Sequence, residues 1–299
     1  MLKRNQKNWM IPNALSLGSR VLAIATLLLL THLSVAQRRQ PPPSPVKNFL
    51  STQWWLGLRF GVNFTQPDVL EDYYAFSPIN YSPDNLEKEY GIFNLPGGQA
   101  GLDISFYHKG FTIGLQPTFK IIRYNYTNYM DWVGSGEADQ LDAQIDVEQV
   151  LQVVEVPLIF KYDLIQRGKI RPFVLIGGQY SMIVNTQKKV EIEYTDYLGS
   201  VPQTYSGGNF NIGNTDRMRN FAGVLGGIGT SLDYANIRTV VEITYLYGLT
   251  SFSSNDSPYS ENELVSIGDV NDKLKINNIN AAVSFIFPLR YIDKTFQPY

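Results

Sequence analysis

The chain has 299 residues, enough for a large core, and with 17% charged and 13% aromatic residues it is not a disordered chain. It contains no cysteine, which excludes disulfide staples, cysteine metal sites and a lipid anchor on an amino-terminal cysteine. No apolar run reaches the roughly 18 residues of a spanning helix, and 25 basic against 27 acidic residues give no general attraction to nucleic acid.

Residues 1–36 read as a signal peptide. Lys3, Arg4, Lys7 and Arg20 precede the apolar run VLAIATLLLL, and the small residues Ser34 and Ala36 stand before Gln37 as a cleavage site. The rival, an uncleaved anchor helix, would need a longer apolar stretch. Without this leader 21 basic and 27 acidic residues remain, a net charge of −6. A proline-rich periplasmic segment, residues 37–53, follows as a stiff tether.

From Trp54 the pattern becomes strict alternation, the period of a β-strand whose two faces meet different environments. In WWLGLRFGVNF, Leu56, Leu58, Phe60, Val62 and Phe64 oppose Gly57, Arg59, Gly61 and Asn63. Further strands are predicted near 98–107, 111–122, 153–163, 171–184, 220–234, 237–249 and 275–288. Their connections alternate between two kinds. HKG, LIQRGK and AN are hairpin turns, whereas the other connections are long, about 25 to 35 residues. An even strand count with long and short connections at opposite ends is the pattern of an outer-membrane barrel, with extracellular loops and periplasmic turns.

The fold expected is therefore all-β, an eight-stranded antiparallel up-and-down transmembrane β-barrel over residues 54–289, with a tail at 290–299 and both termini periplasmic. A soluble lipocalin-like barrel also alternates, with apolar residues inside. The aromatic residues near the strand ends favour lipid instead. Apolar residues then face acyl chains, while Arg59, Asp103, Lys120, Glu155, Lys161 and Glu242 share a narrow lumen, where glycines 57, 61, 101, 114, 177, 227 and 229 relieve crowding. Charges in such a space need partners, and a pair between Arg59 and Asp103 is expected. Pro117 and Pro157 each remove a ladder hydrogen bond and imply a bulge.

The last strand, NINAAVSFIFPL, resembles the carboxy-terminal signal of outer-membrane proteins, on Asn280, Ala282, Phe285 and Phe287. That resemblance implies the barrel-assembly machinery as a partner. VVEVPLIFKYDL followed by IRPFVLIGGQYSMIV resembles the PorT-like outer-membrane β-barrel family of Bacteroidota. The matching residues are Glu155, Pro157, Lys161, Tyr162, Pro172, Phe173, Gly177 and Gly178. The resemblance implies an eight-stranded barrel in the outer membrane and makes type IX secretion or gliding a candidate role.

No catalytic constellation stands out. His32 leaves with the leader, and His108 sits in a turn without a serine or carboxylate beside it, which argues against histidine-based triads and metal sites. GGIGTS at 226–231 lacks the lysine of a phosphate loop. The acidic loops read as solvated, and Tyr73, Tyr74, Phe76, Tyr126, Tyr129 and Trp132 read as loop-tip aromatics. The expected function is a non-enzymatic scaffold or binding component without cofactor, whose partners are outer-membrane lipid, the assembly machinery and other envelope or secretion proteins, but no nucleic acid. The alternatives are a small passive channel and an outer-membrane enzyme.

Overall fold

The computed structural model describes residues 52–74, 86–133, 140–166, 168–197, 201–234, 237–253, 259 and 268–289. The leader, nearly all of the proline-rich segment and the tail lie outside them. The strands, in chain order, are β1 (Thr52–Glu71), β2 (Leu86–Tyr90), β3 (Pro96–His108), β4 (Phe111–Leu115), β5 (Thr118–Val133), β6 (Gln140–Asp163), β7 (Ile170–Asp196), β8 (Gln203–Gly213), β9 (Phe221–Tyr234), β10 (Ile237–Gly248) and β11 (Lys273–Pro288).

Every pairing is antiparallel, and the order β1, β3, β4 with β5, β6, β7, β9, β10, β11 closes where β11 pairs β1. Strands β4 and β5 are two halves of one ring strand, so the ring has eight strands, as the alternation implies. β2 pairs only β5, and β8 pairs only β7, both outside the ring. The turn after β3 takes two residues, Lys109 (φ 44°) and Gly110 (φ 94°), the positive pair a tight hairpin demands.

The prolines do not produce bulges. Ile104 pairs Leu115 below Pro117 and Gly101 pairs Thr118 above it, so the register is unchanged across the break. Gln116 N donates to Pro157 O (3.1 Å), but Pro157 has no N–H to return the bond. The Thr118 hydroxyl donates to the Gln116 carbonyl instead, at 2.8 Å. A side chain thus replaces the lost ladder bond and the strand keeps its phase. The register shifts lie elsewhere: in β7 Val153 pairs Ile183 and Gln152 pairs Asn185, leaving Val184 without a partner, and further shifts fall at Leu70 of β1 and Gly207 of β8.

The strands also run well past the expected ends. A tilted spanning strand needs about 9 to 11 residues, yet β6 has 24 and β7 has 27. Along β6 the outward positions Val154, Val156, Leu158, Phe160 and Tyr162 give way, toward the loop end, to Gln152, Glu148, Asp146 and Gln144. The inward positions change oppositely, from Asp163, Lys161 and Glu155 to Val153, Leu151, Val147 and Ile145. Near the turn end the ring wears its apolar residues outside; near the loop end it buries them as a water-soluble sheet does.

Two apolar clusters fill the interior. One, toward the loop end, gathers Ile122, Tyr124, Tyr126, Leu151, Val190 and Phe221 with others; the second, toward the turn end, includes Trp55, Ile159, Phe173, Leu175 and Leu225. Tyr126, expected at a loop tip, is a core residue, because β5 carries it inward three positions after Arg123 points out. Phe76 and the side chain of Trp132 lie outside the described residues.

Candidate functional site

The outer band near the turn end exposes Leu58, Phe60, Val62, Leu158, Phe160, Ile176 and Ile228, with Ile176 66% and Ile228 64% accessible. A continuous apolar belt of this kind is not tolerated in water. Aromatic side chains border it at the turn end, where Trp54 and Phe106 (ring centroids 5.1 Å) and Phe111 and Tyr162 (4.8 Å) stack across strands.

Inside, ionised side chains lie in three layers. The middle layer holds all six residues singled out by alternation. Glu242 accepts from Arg59 and, at 2.7 Å, from Lys161; Lys120 pairs Glu155 at 2.9 Å; Asp103 accepts from Gln116 at 2.7 Å and lies 4.0 Å from Lys161. All six are buried. The expected Arg59–Asp103 pair is not the one formed. Asp103 stands opposite Gly57, one step nearer the turn end, and Arg59 reaches across β11 to β10 instead. Phe173 lies under the Lys161 ammonium, 5.1 Å from ring centroid to nitrogen. Gly229 makes room for that ring: a Cβ there would come within 2.4 Å of Phe173 Cζ.

A layer at the turn end joins Arg171, Arg238, Asp163 and Asp233. Both arginines pair with Asp233, Arg171 also lies 3.8 Å from Asp163, and Arg238 stacks 4.1 Å above the Trp55 ring. A third layer closes the loop end. The segment before β11 enters the mouth and buries Asp269, Val270 and Asp272. Lys188 meets Asp269 at 2.6 Å and Tyr126 OH at 2.6 Å, and Lys88 meets Asp272 at 2.9 Å, while Tyr90 donates to Asp272. Burial alone would raise the Asp269 carboxyl, but the Lys188 and Lys88 charges, with hydrogen bonds from Lys188 and Tyr126, outweigh it and hold it below the ordinary carboxylate range. On the rim, Tyr73 donates to Glu71 at 2.6 Å, which pushes the phenol up to about 12.

Each layer balances: three cations against three anions in the middle, two against two at either end. Mutual pairing is what allows ionised groups to stay charged at this depth. The space left beside Arg59, Lys120, Glu155 and Glu242 is a cavity of about 20 Å³, room for one water. The lumen is packed rather than open.

A family model described as outer membrane protein beta-barrel domain matches residues 35–254. The chain belongs to this family. As an outer membrane β-barrel domain it resides in the outer membrane, and the apolar belt faces lipid. Among solved structures it is similar to the amino-terminal β-barrel domain of Pseudomonas aeruginosa OprF, at 10% identity and TM-score 0.30 over 79% of this chain and 98% of that one. It is also similar to Neisserial surface protein A, at 10% identity and 0.29 over 77% and 95%. A third similarity is to the outer membrane protease OmpT of Escherichia coli, at 12% identity and 0.33 over 85% and 99%. No curated protein matches the chain.

Alternation found the middle layer of this outer membrane β-barrel domain but missed the other two. The turn-end layer had a signal, since Ile-Arg opens the strand after two of the hairpin turns, at Ile170-Arg171 and Ile237-Arg238. The loop-end layer had none: Lys188 faces inward only because the extra residue Val184 shifts the phase of β7, and Asp269 and Asp272 belong to no strand. In the last strand Asn280 and Ala282 face the lumen, whereas Phe285 and Phe287 face lipid. His108 is exposed at the end of β3, beside Thr52 Oγ1 at 2.8 Å.

Proposed function

We propose that this outer membrane β-barrel domain is a non-enzymatic scaffold or binding component whose working surface is the sheet that rises beyond the apolar belt at the loop end. The observation that carries the reading is the filled lumen: among the described residues, three balanced charge layers, two apolar clusters and the segment 268–272 occupy it, and the space beside the middle layer is only about 20 Å³. A closed barrel that projects β5, β6 and β7 well beyond the bilayer spends its material on surface, and surface serves partners. The position of His108 at the turn end, away from that sheet, supports a role without hydrolytic chemistry. The orientation that fits has the turns and both termini in the periplasm and the rising sheet outside the cell, with residues 1–36 removed on export and Asn280, Ala282, Phe285 and Phe287 read by the assembly machinery. The PorT-like resemblance makes the type IX secretion and gliding apparatus the first place to seek the partner.

The test has two arms. Purified full chain in planar bilayers should show no stepwise conductance, and steady channel openings would favour the passive-channel reading. Photo-crosslinking from Gln144, on the outer face of β6, in the native envelope should yield discrete adducts with envelope or secretion proteins. Their absence would remove the binding reading.

A further inference from the structure

The rising sheet has two edges among the described residues, β2 and β8, and they differ in chemistry. β2 is five residues long, LEKEY, with three charges. Short, charged edges are how sheets avoid pairing with other chains. β8 is eleven residues long, QTYSGGNFNIG, with neither a charge nor a proline, and a bulge at Gly207 divides it into the stretches Gln203–Ser206 and Gly208–Gly213. One of its edges pairs with β7, and no described strand covers the other. An uncharged, exposed edge is a template for another strand, and the stretch carrying Asn209, Phe210 and Asn211 presents it without a break.

Two rows of side chains flank that edge. On the inner side Phe210 lies opposite Val190 and Tyr205 opposite Tyr194; Tyr205 is 49% and Phe210 39% exposed, although their β7 partners are more buried. On the outer side Asn209 lies opposite Glu191, Asn211 opposite Lys189 and Ser206 opposite Glu193. Beyond them the outer face of β6 and β7 carries Asp142, Asp146, Glu148, Glu191 and Glu193, with Lys189 there and Arg123 on β5 as cations. Asp146 stands directly opposite Glu191, a repulsive cross-strand arrangement that a neighbouring cation would relieve. A groove of about 570 Å³ lies here, lined by Asp146, Glu148, Lys189 and Glu191 together with Leu95 and Phe210.

We infer that the free edge of β8 takes up an extended segment of a partner protein, added as one more antiparallel strand, with apolar residues toward Tyr205 and Phe210 and basic residues toward the acidic outer face. The inference rests on the binding reading above and names the chemistry of its partner. A second copy is the poorer occupant. Copies inserted in one membrane point the same way, so their β8 strands would run in the same direction and could not form the antiparallel ladder used throughout this sheet.

The probe is a ten-residue peptide alternating Lys and Val, fluorescently labelled and titrated onto the full chain in neutral phosphatidylcholine vesicles. It should bind saturably. The same peptide N-methylated at alternate residues, which keeps its charge but loses main-chain donors, should bind at least about tenfold more weakly. An alternating Glu and Val peptide should bind more weakly still. Asn209→Lys with Asn211→Lys places like charges on the edge without touching the barrel and should abolish binding. Asn209→Pro is the second variant, with folding checked by the heat-dependent electrophoretic shift. Equal affinity for the methylated and unmethylated peptides would overturn strand addition, as would binding that survives both variants. Because the chain has no cysteine, Asn211→Cys reports cleanly on self-association, and a disulfide-linked dimer formed without peptide would overturn the proposal in favour of a second copy. If the peptide fails while crosslinking from Gln144 still captures a partner, strand addition falls and the binding reading stands.

Discussion

Lys161 of β6 and Glu242 of β10 meet across the lumen at 2.7 Å, although 81 residues and two intervening ring strands, β7 and β9, separate them. Glu242 also accepts from Arg59, so one carboxylate bridges two cations from different walls. Glu242→Leu leaves Arg59 without its carboxylate and Lys161 with only the more distant Asp103 at 4.0 Å, and is expected to be the most damaging change in the middle layer, costing about 3 to 5 kcal/mol. Urea unfolding in vesicles measures it. In double-mutant cycles Arg59→Met with Glu242→Leu should show strong coupling, and Arg59→Met with Asp103→Leu much less. A larger coupling for the second pair would contradict the geometry.

The inversion along β6 is tested by one substitution at two heights. Val156→Arg, and likewise Leu58→Arg on β1, place a charge in the lipid belt and should cost about 2 to 4 kcal/mol. Gln144→Arg lies on the same outward row of β6, where it meets water, and should change stability by no more than about 0.5 kcal/mol. Refolding yields into vesicles separate the two cases. Equal penalties would mean that the belt extends to the strand tips.

Acid should loosen the segment that closes the mouth. The Asp269 carboxyl is held low in the folded state, so its contribution is fully present above the ordinary carboxylate pKa of about 3.9 and is lost as pH falls through the lower folded value. Amide exchange of Val270 and Asp272 should rise only in that acidic window. Lys188→Met removes the main opposing charge and should move the onset to higher pH. An onset unchanged by Lys188→Met would show that another contact seats the segment.

Two glycines should respond oppositely to alanine. At Gly229 a Cβ would meet Phe173 Cζ at 2.4 Å and the Val241 carbonyl oxygen at 2.5 Å, whereas nothing lies within 4 Å of a Cβ at Gly178. Gly229→Ala is expected to cost about 1 to 3 kcal/mol through overpacking. Gly178→Ala should be neutral or gain up to about 1 kcal/mol from reduced chain entropy. Equilibrium unfolding of the two variants under identical conditions decides the matter.

Alternation alone determined the ring of eight strands, the lipid-facing row from Leu56 to Phe64 and the inward set Arg59, Asp103, Lys120, Glu155, Lys161 and Glu242, because a strand's side chains switch face at every residue and lipid demands that one face be wholly apolar. The tertiary structure alone decided which charges touch. Pairing depends on register and on contacts across the lumen, so Arg59 meets Glu242, which lies 183 residues away, and leaves Asp103 to Gln116. It also decided where the strands end. Beyond Gln152 the apolar row passes from the outer to the inner face, and a rule keyed to lipid reads the polar outer residues of β6 and β7 as loop. Hydrogen bonding between backbones does not depend on which solvent the side chains meet, so the ladder continues into water and carries Lys188 up to Asp269.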